Sequence, residues 1–183
     1  RYVNRKAEQR MAQFQTITFV YDALDRLIQK NLPEGAPVTY QYDAAGNLTR
    51  VQHYNGSIVQ MSYDALDRLT NVTQTLPTGG SYAISYGYDA NGNKTLMTTP
   101  WGSFAYAYDD LNRLTRITNP QGKQFAFEYN GLGQRTRLLY PNGTETGYLY
   151  DAAGQVSEIR HKRTADQATL ALFQYDYDQA SNR

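Results

Sequence analysis

Cysteine is absent from the 183 residues, which excludes disulfides, thiolate metal ligands and cysteine nucleophiles. No apolar run approaches the roughly 18–20 residues that a membrane-spanning helix needs, and no signal-peptide core follows the N-terminus. Charged residues are only 19% of the chain, their formal net charge is +1, and no basic run is present. We therefore expect neither a membrane span nor a nucleic-acid partner in this segment.

Tyrosine is abundant, with 17 residues against 6 phenylalanines and 1 tryptophan. A Tyr-Asp pair recurs every 20 to 27 residues, at Tyr21-Asp22, Tyr42-Asp43, Tyr63-Asp64, Tyr88-Asp89, Tyr108-Asp109, Tyr150-Asp151 and Tyr177-Asp178, with Tyr129-Asn130 in the missing place. Such a period predicts one repeat array over residues 1–183, with about eight copies of roughly 21 residues and a less regular leading segment at 1–13. Because the chain begins without Met and stops within a motif, we expect it to be a fragment of a longer protein.

Large side chains alternate with small or polar ones before each of these tyrosines. Two positions earlier lie Phe19, Tyr40, Met61, Tyr86, Tyr106, Phe127, Tyr148 and Tyr175, and four earlier lie Ile17, Val38, Val59, Ile84, Phe104, Phe125, Thr146 and Phe173. A period of two places these residues on one face of a half-buried strand. The sequence therefore predicts a strand that ends at each tyrosine.

The residues after each tyrosine predict a turn, which the aspartate opens by accepting hydrogen bonds from backbone N–H groups two residues on. Three residues after the aspartate come residue types that tolerate a positive φ, namely Asp25, Gly46, Asp67, Gly92, Asn112, Gly133 and Gly154. The outgoing strand then has two apolar residues three positions apart, as in Leu48 and Val51. This odd spacing leaves two alternatives, a β-bulge that restores the parity or a leucine that caps the turn outside the ladder.

A second class of turn closes each repeat. Pro33–Gly35, Pro100–Gly102, Pro120–Gly122 and Pro141–Gly143 predict type II turns, and Asn55-Gly56 predicts a type I′ hairpin. Two strands and two turns per repeat give an all-β fold of tandem β-hairpins in a continuous antiparallel sheet of about 14–16 strands. The apolar face of that sheet requires it to curl, to stack on another layer or to meet a partner, and we expect a curled or spiral sheet. No span predicts a long helix, and Arg1–Gln13 is compatible with a short one.

Neither the aspartates nor the histidines predict an active site. The aspartates recur at one position of the repeat, where each has a turn to stabilise, so we expect no catalytic carboxylate pair. Asp89–Asn93 is similar to the start of a Ca²⁺-binding EF-hand loop, but the twelfth position is Pro100 instead of glutamate. His53 and His161 lie in loop-like contexts without matching ligands. We therefore predict no metal and no cofactor, and Trp101 in its turn is the one candidate ligand contact.

The pattern Tyr-Asp-x-x-Gly/Asp-Arg/Asn-Leu-Thr, as in Tyr42–Thr49, Tyr63–Thr70 and Tyr108–Thr115, resembles the YD repeats of the Rhs (rearrangement hot spot) family. Related repeats occur in toxin-complex C subunits and in teneurins. The resemblance extends from Tyr21 to Asn182. It implies a β-sheet ribbon that spirals into a hollow shell, which encloses a toxin polypeptide in bacterial members and belongs to an adhesion receptor in teneurins.

Two hypotheses on function follow from this resemblance. In the first, the chain is a non-enzymatic shell segment. Its partners are then the rest of its own longer chain and an enclosed polypeptide. In the second, it is a cell-surface adhesion or carbohydrate-binding module with glycans or a surface protein as partner. Both imply a secreted or cell-surface location, and the first implies a bacterial source.

Overall fold

The computed structural model describes the backbone of Ala7–Arg10 and the whole of residues 16–178. The chain divides into two compact units, residues 1–87 with 98–100 and residues 88–97 with 101–183. All regular elements in the described residues are strands, which confirms the all-β class. Ala7–Arg10 form a strand, which contradicts a short helix there, and the remainder of Arg1–Gln13 lies outside the described residues.

Sixteen strands follow one another along the chain. Eight begin in the first unit: β1 (Ala7–Arg10), β2 (Thr16–Tyr21), β3 (Leu27–Asn31), β4 (Val38–Tyr42), β5 (Leu48–Gln52), β6 (Ile58–Tyr63), β7 (Leu69–Thr75) and β8 (Ser81–Tyr88). Eight begin in the second: β9 (Lys94–Thr99), β10 (Gly102–Tyr108), β11 (Leu114–Thr118), β12 (Gln124–Tyr129), β13 (Arg135–Leu139), β14 (Thr144–Tyr150), β15 (Val156–Arg163) and β16 (Thr169–Gln174).

Consecutive strands pair antiparallel from β1 to β8 in the first unit and from β10 to β16 in the second. Within each unit a strand contacts only the strands adjacent to it in sequence, so the described part of each sheet is a single layer. The predicted tandem β-hairpins are confirmed by this pairing.

A β-bulge decides between the two alternatives for the outgoing strand, and it occurs at the turns after Tyr21, Tyr42, Tyr63, Tyr108, Tyr129 and Tyr150. Tyr40 pairs with Val51 and Tyr42 pairs with Leu48, although three residues separate Leu48 from Val51. The extra residue, Thr49, donates its hydroxyl to the Gln41 carbonyl at 3.2 Å. Both apolar residues therefore stand on the same face as the tyrosines, and the leucine lies in the ladder.

The two faces of each sheet differ in composition. We call the side that the Tyr-Asp tyrosines occupy the tyrosine face and the other side the opposite face. Rows of large residues cross the tyrosine face, as in Tyr40, Val51 and Val59. Among the described residues, Ile17 and Val38 are the only apolar residues that are buried, and most others on this face are half-buried. A single layer cannot cover its own apolar face completely.

Hairpin turns at both ends of the strands share one hydrogen-bonding pattern. In the first Tyr-Asp turn, the Asp25 N–H donates to the Asp22 carbonyl at 3.1 Å, and the Asp22 N–H donates to the Arg26 carbonyl at 2.9 Å. At the other end, the Gly122 N–H donates to the Asn119 carbonyl at 2.9 Å. Both are three-residue hairpin loops in which the fourth residue of the turn is left-handed. The positive φ predicted at seven of the turns is confirmed, from Asp25 (58°) to Gly154 (82°).

The predicted types of three of the second turns are wrong, because the glycine stands one place later than a type II or type I′ turn requires. In the turns that begin at Asn119 and Tyr140, the glycine is the fourth residue and not a central one. At Asn55-Gly56, the Gly56 N–H donates to the His53 carbonyl at 2.9 Å, so Tyr54 and Asn55 are central. Asn55 is not among the described residues with positive φ, as a type I′ turn would demand.

Candidate functional site in the Tyr-Asp turns

Each Tyr-Asp turn uses its aspartate as an acceptor for its own hydrogen bonds. Asp64 Oδ1 accepts the backbone N–H groups of Leu66 at 2.9 Å and Arg68 at 3.0 Å, while Oδ2 accepts Arg68 Nε at 2.8 Å. The same three contacts occur at Asp22 and at Asp109. With both oxygens occupied in this way, the carboxylate stabilises the turn that it opens.

The residue four positions after the aspartate varies between turns, but its side chain still bonds to the side chain that opens the turn. Asn47 replaces arginine in the second turn and donates its amide to Asp43 Oδ2 at 3.2 Å. In the one turn that has asparagine in place of aspartate, Asn130 Nδ2 donates to Gln134 Oε1 at 2.7 Å. An amide pair thus replaces the ion pair, and Asn130 Oδ1 still accepts the Gln134 N–H at 3.0 Å.

The tyrosine hydroxyl in six of these turns bonds to the preceding repeat. The Tyr63 hydroxyl donates to the Leu48 carbonyl at 2.9 Å. The equivalent bonds, at 2.7 to 3.0 Å, join Tyr42 to Leu27, Tyr108 to Lys94, Tyr129 to Leu114, Tyr150 to Arg135 and Tyr177 to Val156. Burial raises the pKa of the Tyr63 phenol, and the charge of Asp43 raises it further. The hydroxyl therefore stays protonated and keeps its role as a donor.

Neighbouring turns within a unit are also joined to each other. Arg26 Nη1 donates to the Asp43 carbonyl at 3.3 Å, and Asn47 Nδ2 donates to Asp67 Oδ1 at 2.7 Å. In the second unit, Asn93 Nδ2 donates to Asn112 Oδ1 at 2.7 Å, Arg113 Nη1 donates to the Asn130 carbonyl at 3.1 Å, and Gln134 Nε2 donates to the Gly154 carbonyl at 3.2 Å. The turns therefore form rows in which each holds the next.

The turn aspartates stay ionised because of their donors. The backbone N–H of Arg26 lowers the pKa of Asp22, and the guanidinium of the same residue lowers it further. The backbone N–H of Arg113 does the same to the pKa of Asp109. A catalytic acid needs a pKa raised towards neutrality, so these carboxylates have the opposite properties.

The remaining candidates do not assemble into a chemical site. Asp89, in the sequence similar to an EF-hand loop, accepts the N–H groups of Asn91 and Asn93 within its own turn. In residues 16–178, no three metal-ligating side chains come together. His161 lies in β15 and not in a loop as predicted, with its Nδ1 2.8 Å from the buried Thr146 hydroxyl. Trp101 is 77% exposed, and its role as a ligand contact stays a prediction.

Two basic residues on the tyrosine face escaped the sequence analysis. Lys94 and Arg135 occupy the place that leucine holds in other repeats, directly after the turn. The Lys94 ammonium lies 4.9 Å from the centre of the Tyr106 ring, and the Arg135 guanidinium lies 5.0 Å from that of Tyr148. Their aliphatic stems can cover the sheet as leucine does while the charge contacts a ring. Alignment of the repeats alone could have identified them, because a cation replaces leucine at this position.

The repeats identify the family. The family model described as RHS Repeat matches residues 21–58, 44–80, 63–103 and 108–145, which together cover more than half of the chain. The chain belongs to the RHS repeat family and is a structural repeat segment of it. No curated protein matches the chain significantly. Among the described residues, no helix is long and apolar enough to span a membrane.

Solved structures of Tc toxin complexes have a similar fold. A TcdB2-TccC3-TEV crystal structure and the Tc holotoxin pore of Photorhabdus luminescens each match 91% of this chain, at 16% identity and a TM-score of 0.50. A further TcdB2-TccC3 complex matches 97% of it at 14% identity and a TM-score of 0.51. The chain spans 12 to 14% of the length of these chains. At such identities the likeness establishes the fold alone.

Proposed function

We propose that the chain is a non-enzymatic wall segment of a hollow β-sheet shell, and that the shell encloses a polypeptide of its own longer protein, a toxin in the bacterial case. The array over residues 1–183 would be about eight repeats of that protein, which we place outside the cell or on its surface, in a bacterium. Its partners would be the other repeats and the enclosed polypeptide.

The observation on which the proposal rests is the use of the repeated side chains. The hydroxyl of Tyr63 and both carboxylate oxygens of Asp64 are occupied by bonds that hold one hairpin closed and join it to its neighbour. Equivalent bonds recur along both units, so the polar groups of the recurring Tyr-Asp pairs serve the architecture of the chain. A single-layer sheet with a half-buried apolar face is suited to a wall, because it has two broad faces and needs something to cover one of them.

Limited proteolysis of the longer protein tests the proposal. A low concentration of proteinase K should leave the enclosed polypeptide intact in the native protein and degrade it once Asp64 and Asp109 are replaced by alanine. A matched variant, Asp166→Ala, alters an exposed turn between β15 and β16 and should keep the polypeptide protected. Degradation at the same rate in the native protein and in the double variant would overturn the shell function.

A surface-binding module is the second candidate, favoured by the exposure of Trp101. An exposed indole can stack on a sugar ring, and this chain has only one tryptophan. Screening of the chain on a glycan array, beside Trp101→Ala, tests this function. Specific signals that disappear in the variant would favour it, and signals that are absent or unchanged would exclude Trp101 as a glycan contact.

A further inference from the structure

Gly147 leaves a gap in the middle of the opposite face of the second unit. It lies in β14 and pairs with Arg137 of β13 on one side and with Arg160 of β15 on the other. A Cβ placed on Gly147 would meet no side chain, since its nearest neighbour is the Arg160 carbonyl oxygen at 4.0 Å. Glycine within a strand often marks a place where another group approaches the backbone closely.

A cavity of about 340 Å³ lies over this gap. Gly147 lines it together with Thr136, Leu149, Arg160 and Lys162. Leu149, on the same face two residues further along β14, is 57% exposed and adds an apolar surface. The cavity is therefore lined by a glycine, an aliphatic side chain and a guanidinium.

Ion pairs hold the charged walls in position. Glu145 is nearly fully buried, with 5% of its side chain exposed, and it accepts Arg137 Nε at 3.0 Å and a second bond from Arg137 Nη2. Lys162 Nζ lies 3.6 Å from the same carboxylate. Arg160 Nη2 pairs with Glu158 at 2.9 Å. Glu128 also pairs with Arg137 at 3.3 Å. Three carboxylates therefore balance the three cations, and the cavity offers a planar guanidinium with no excess charge to attract a free ion.

The chemistry of these walls fits an aromatic ring. A guanidinium plane stacks on aromatic faces. A ring that lies on the peptide backbone beside a leucine also has part of its own apolar surface removed from water. On the tyrosine face the chain makes this contact itself, with the guanidinium of Arg26 4.8 Å from the Tyr42 ring centre and that of Arg113 4.9 Å from the Tyr129 ring centre. Beside Gly147 an arginine also lines the surface, and among the described residues no aromatic ring is stacked on its guanidinium.

We propose that the cavity over Gly147 binds a tyrosine or tryptophan side chain of a polypeptide that lies along the opposite face of the second unit. The ring would stand on the Gly147 backbone and stack beside the guanidinium of Arg160, with Leu149 against its edge. A wall needs no such cavity, so this site goes beyond the proposed shell function and can be tested without any shell.

Titration of the full chain by ¹H–¹⁵N NMR tests the site. The probes are acetyl-Gly-Trp-Gly-amide, the matched acetyl-Gly-Leu-Gly-amide, and maltotriose. The tryptophan peptide is expected to shift the Gly147 amide and the Arg160 Nε–H resonances, with half-saturation at about threefold to fivefold lower concentration than the leucine peptide. Equal responses to the two peptides would overturn the proposal, and a response to maltotriose alone would assign the cavity to a sugar instead.

Three variants make the test specific. Gly147→Val fills the gap with a residue suited to a strand and should abolish the response to the tryptophan peptide. Arg160→Lys keeps the charge and the pair with Glu158 but lacks a planar group, so the preference for tryptophan over leucine should fall to within about twofold. Arg116→Lys, on the same face opposite Ala107 and Ala126, is the control and should leave the preference unchanged. An unchanged preference in Arg160→Lys would contradict the proposed stacking even if Gly147→Val fails to fold.

Discussion

The hydroxyl of Tyr63 donates a hydrogen bond of 2.9 Å to the carbonyl of Leu48, the residue that pairs with Tyr42 in the preceding hairpin. Between those two repeats the β-ladder extends only from Arg50–Gln60 to Gln52–Ile58. The tyrosine hydroxyl therefore spans the part of the strand pair nearest the Tyr-Asp turns, where the ladder has ended. Tyrosine, and not phenylalanine, is needed at this position because the ring must end in a donor.

Replacing Tyr63 by phenylalanine is expected to lower the free energy of unfolding by about 1 kcal/mol, because the Leu48 carbonyl loses its donor while the ring still packs. Urea unfolding followed by circular dichroism measures the change. Tyr54→Phe is the matched control, since Tyr54 is 58% exposed at a turn and should change stability by less than about 0.5 kcal/mol. Equal losses in the two variants would contradict a role for the hydroxyl.

Exchange of the turn pair tests whether the aspartate and its arginine act together. Asp64→Asn alone should lower the urea midpoint, because it breaks the ion pair with Arg68 Nε at 2.8 Å. The double variant Asp64→Asn with Arg68→Gln copies the amide pair of Asn130 and Gln134 and should recover part of the loss. The losses of Asp64→Asn and Arg68→Gln, measured separately, are added for comparison. If the double variant loses more than this sum, the two kinds of pair are not interchangeable.

Two glycines separate the effect of backbone conformation from that of space. Gly46 has a φ of 97° and Gly131 lies outside the left-handed region, yet a Cβ on either would meet nothing within 4 Å. Gly46→Ala should therefore cost about 1 kcal/mol through backbone strain, whereas Gly131→Ala should be neutral or stabilise by a few tenths of a kcal/mol. Thermal unfolding of the two variants decides, and a larger loss in Gly131→Ala would contradict this explanation.

Acid should destabilise the protein through its turns. The pKa of Asp22 lies below its ordinary value of 3.8, chiefly through the Arg26 N–H, and the pKa of Asp89 is lowered by the Asn93 side chain. A lowered folded pKa gives stability that is complete above the unfolded value and is lost as the pH falls through the folded one. The melting temperature should fall below about pH 4, and less steeply once Asp22, Asp89 and Asp109 are all asparagine. Identical acid profiles in the two proteins would exclude these carboxylates as the cause.

The sequence predicts the parts of this fold that depend on local chemistry. The alternation before Tyr42 identifies β4, and the aspartate, asparagine and glycine positions give the left-handed residue of every Tyr-Asp turn. The Asn55-Gly56 turn was mispredicted because the same dipeptide suits two loops that differ by one residue in register. The bond from Tyr63 to Leu48 and the gap at Gly147 could not be predicted, since both depend on which residues the bulges bring opposite each other.

The most direct test of the central claim, that each Tyr-Asp unit is an interchangeable structural module, is the excision of one unit. Deletion of Asp43–Tyr63, 21 residues, joins Tyr42 to Asp64 and keeps every turn in phase. Circular dichroism during thermal unfolding should then show a β-sheet spectrum and a cooperative transition. Deletion of Asp43–His53 instead, which puts the two kinds of turn out of phase, should abolish that transition. A chain that loses its fold on in-phase excision, or keeps it equally well on out-of-phase excision, would contradict the modular account.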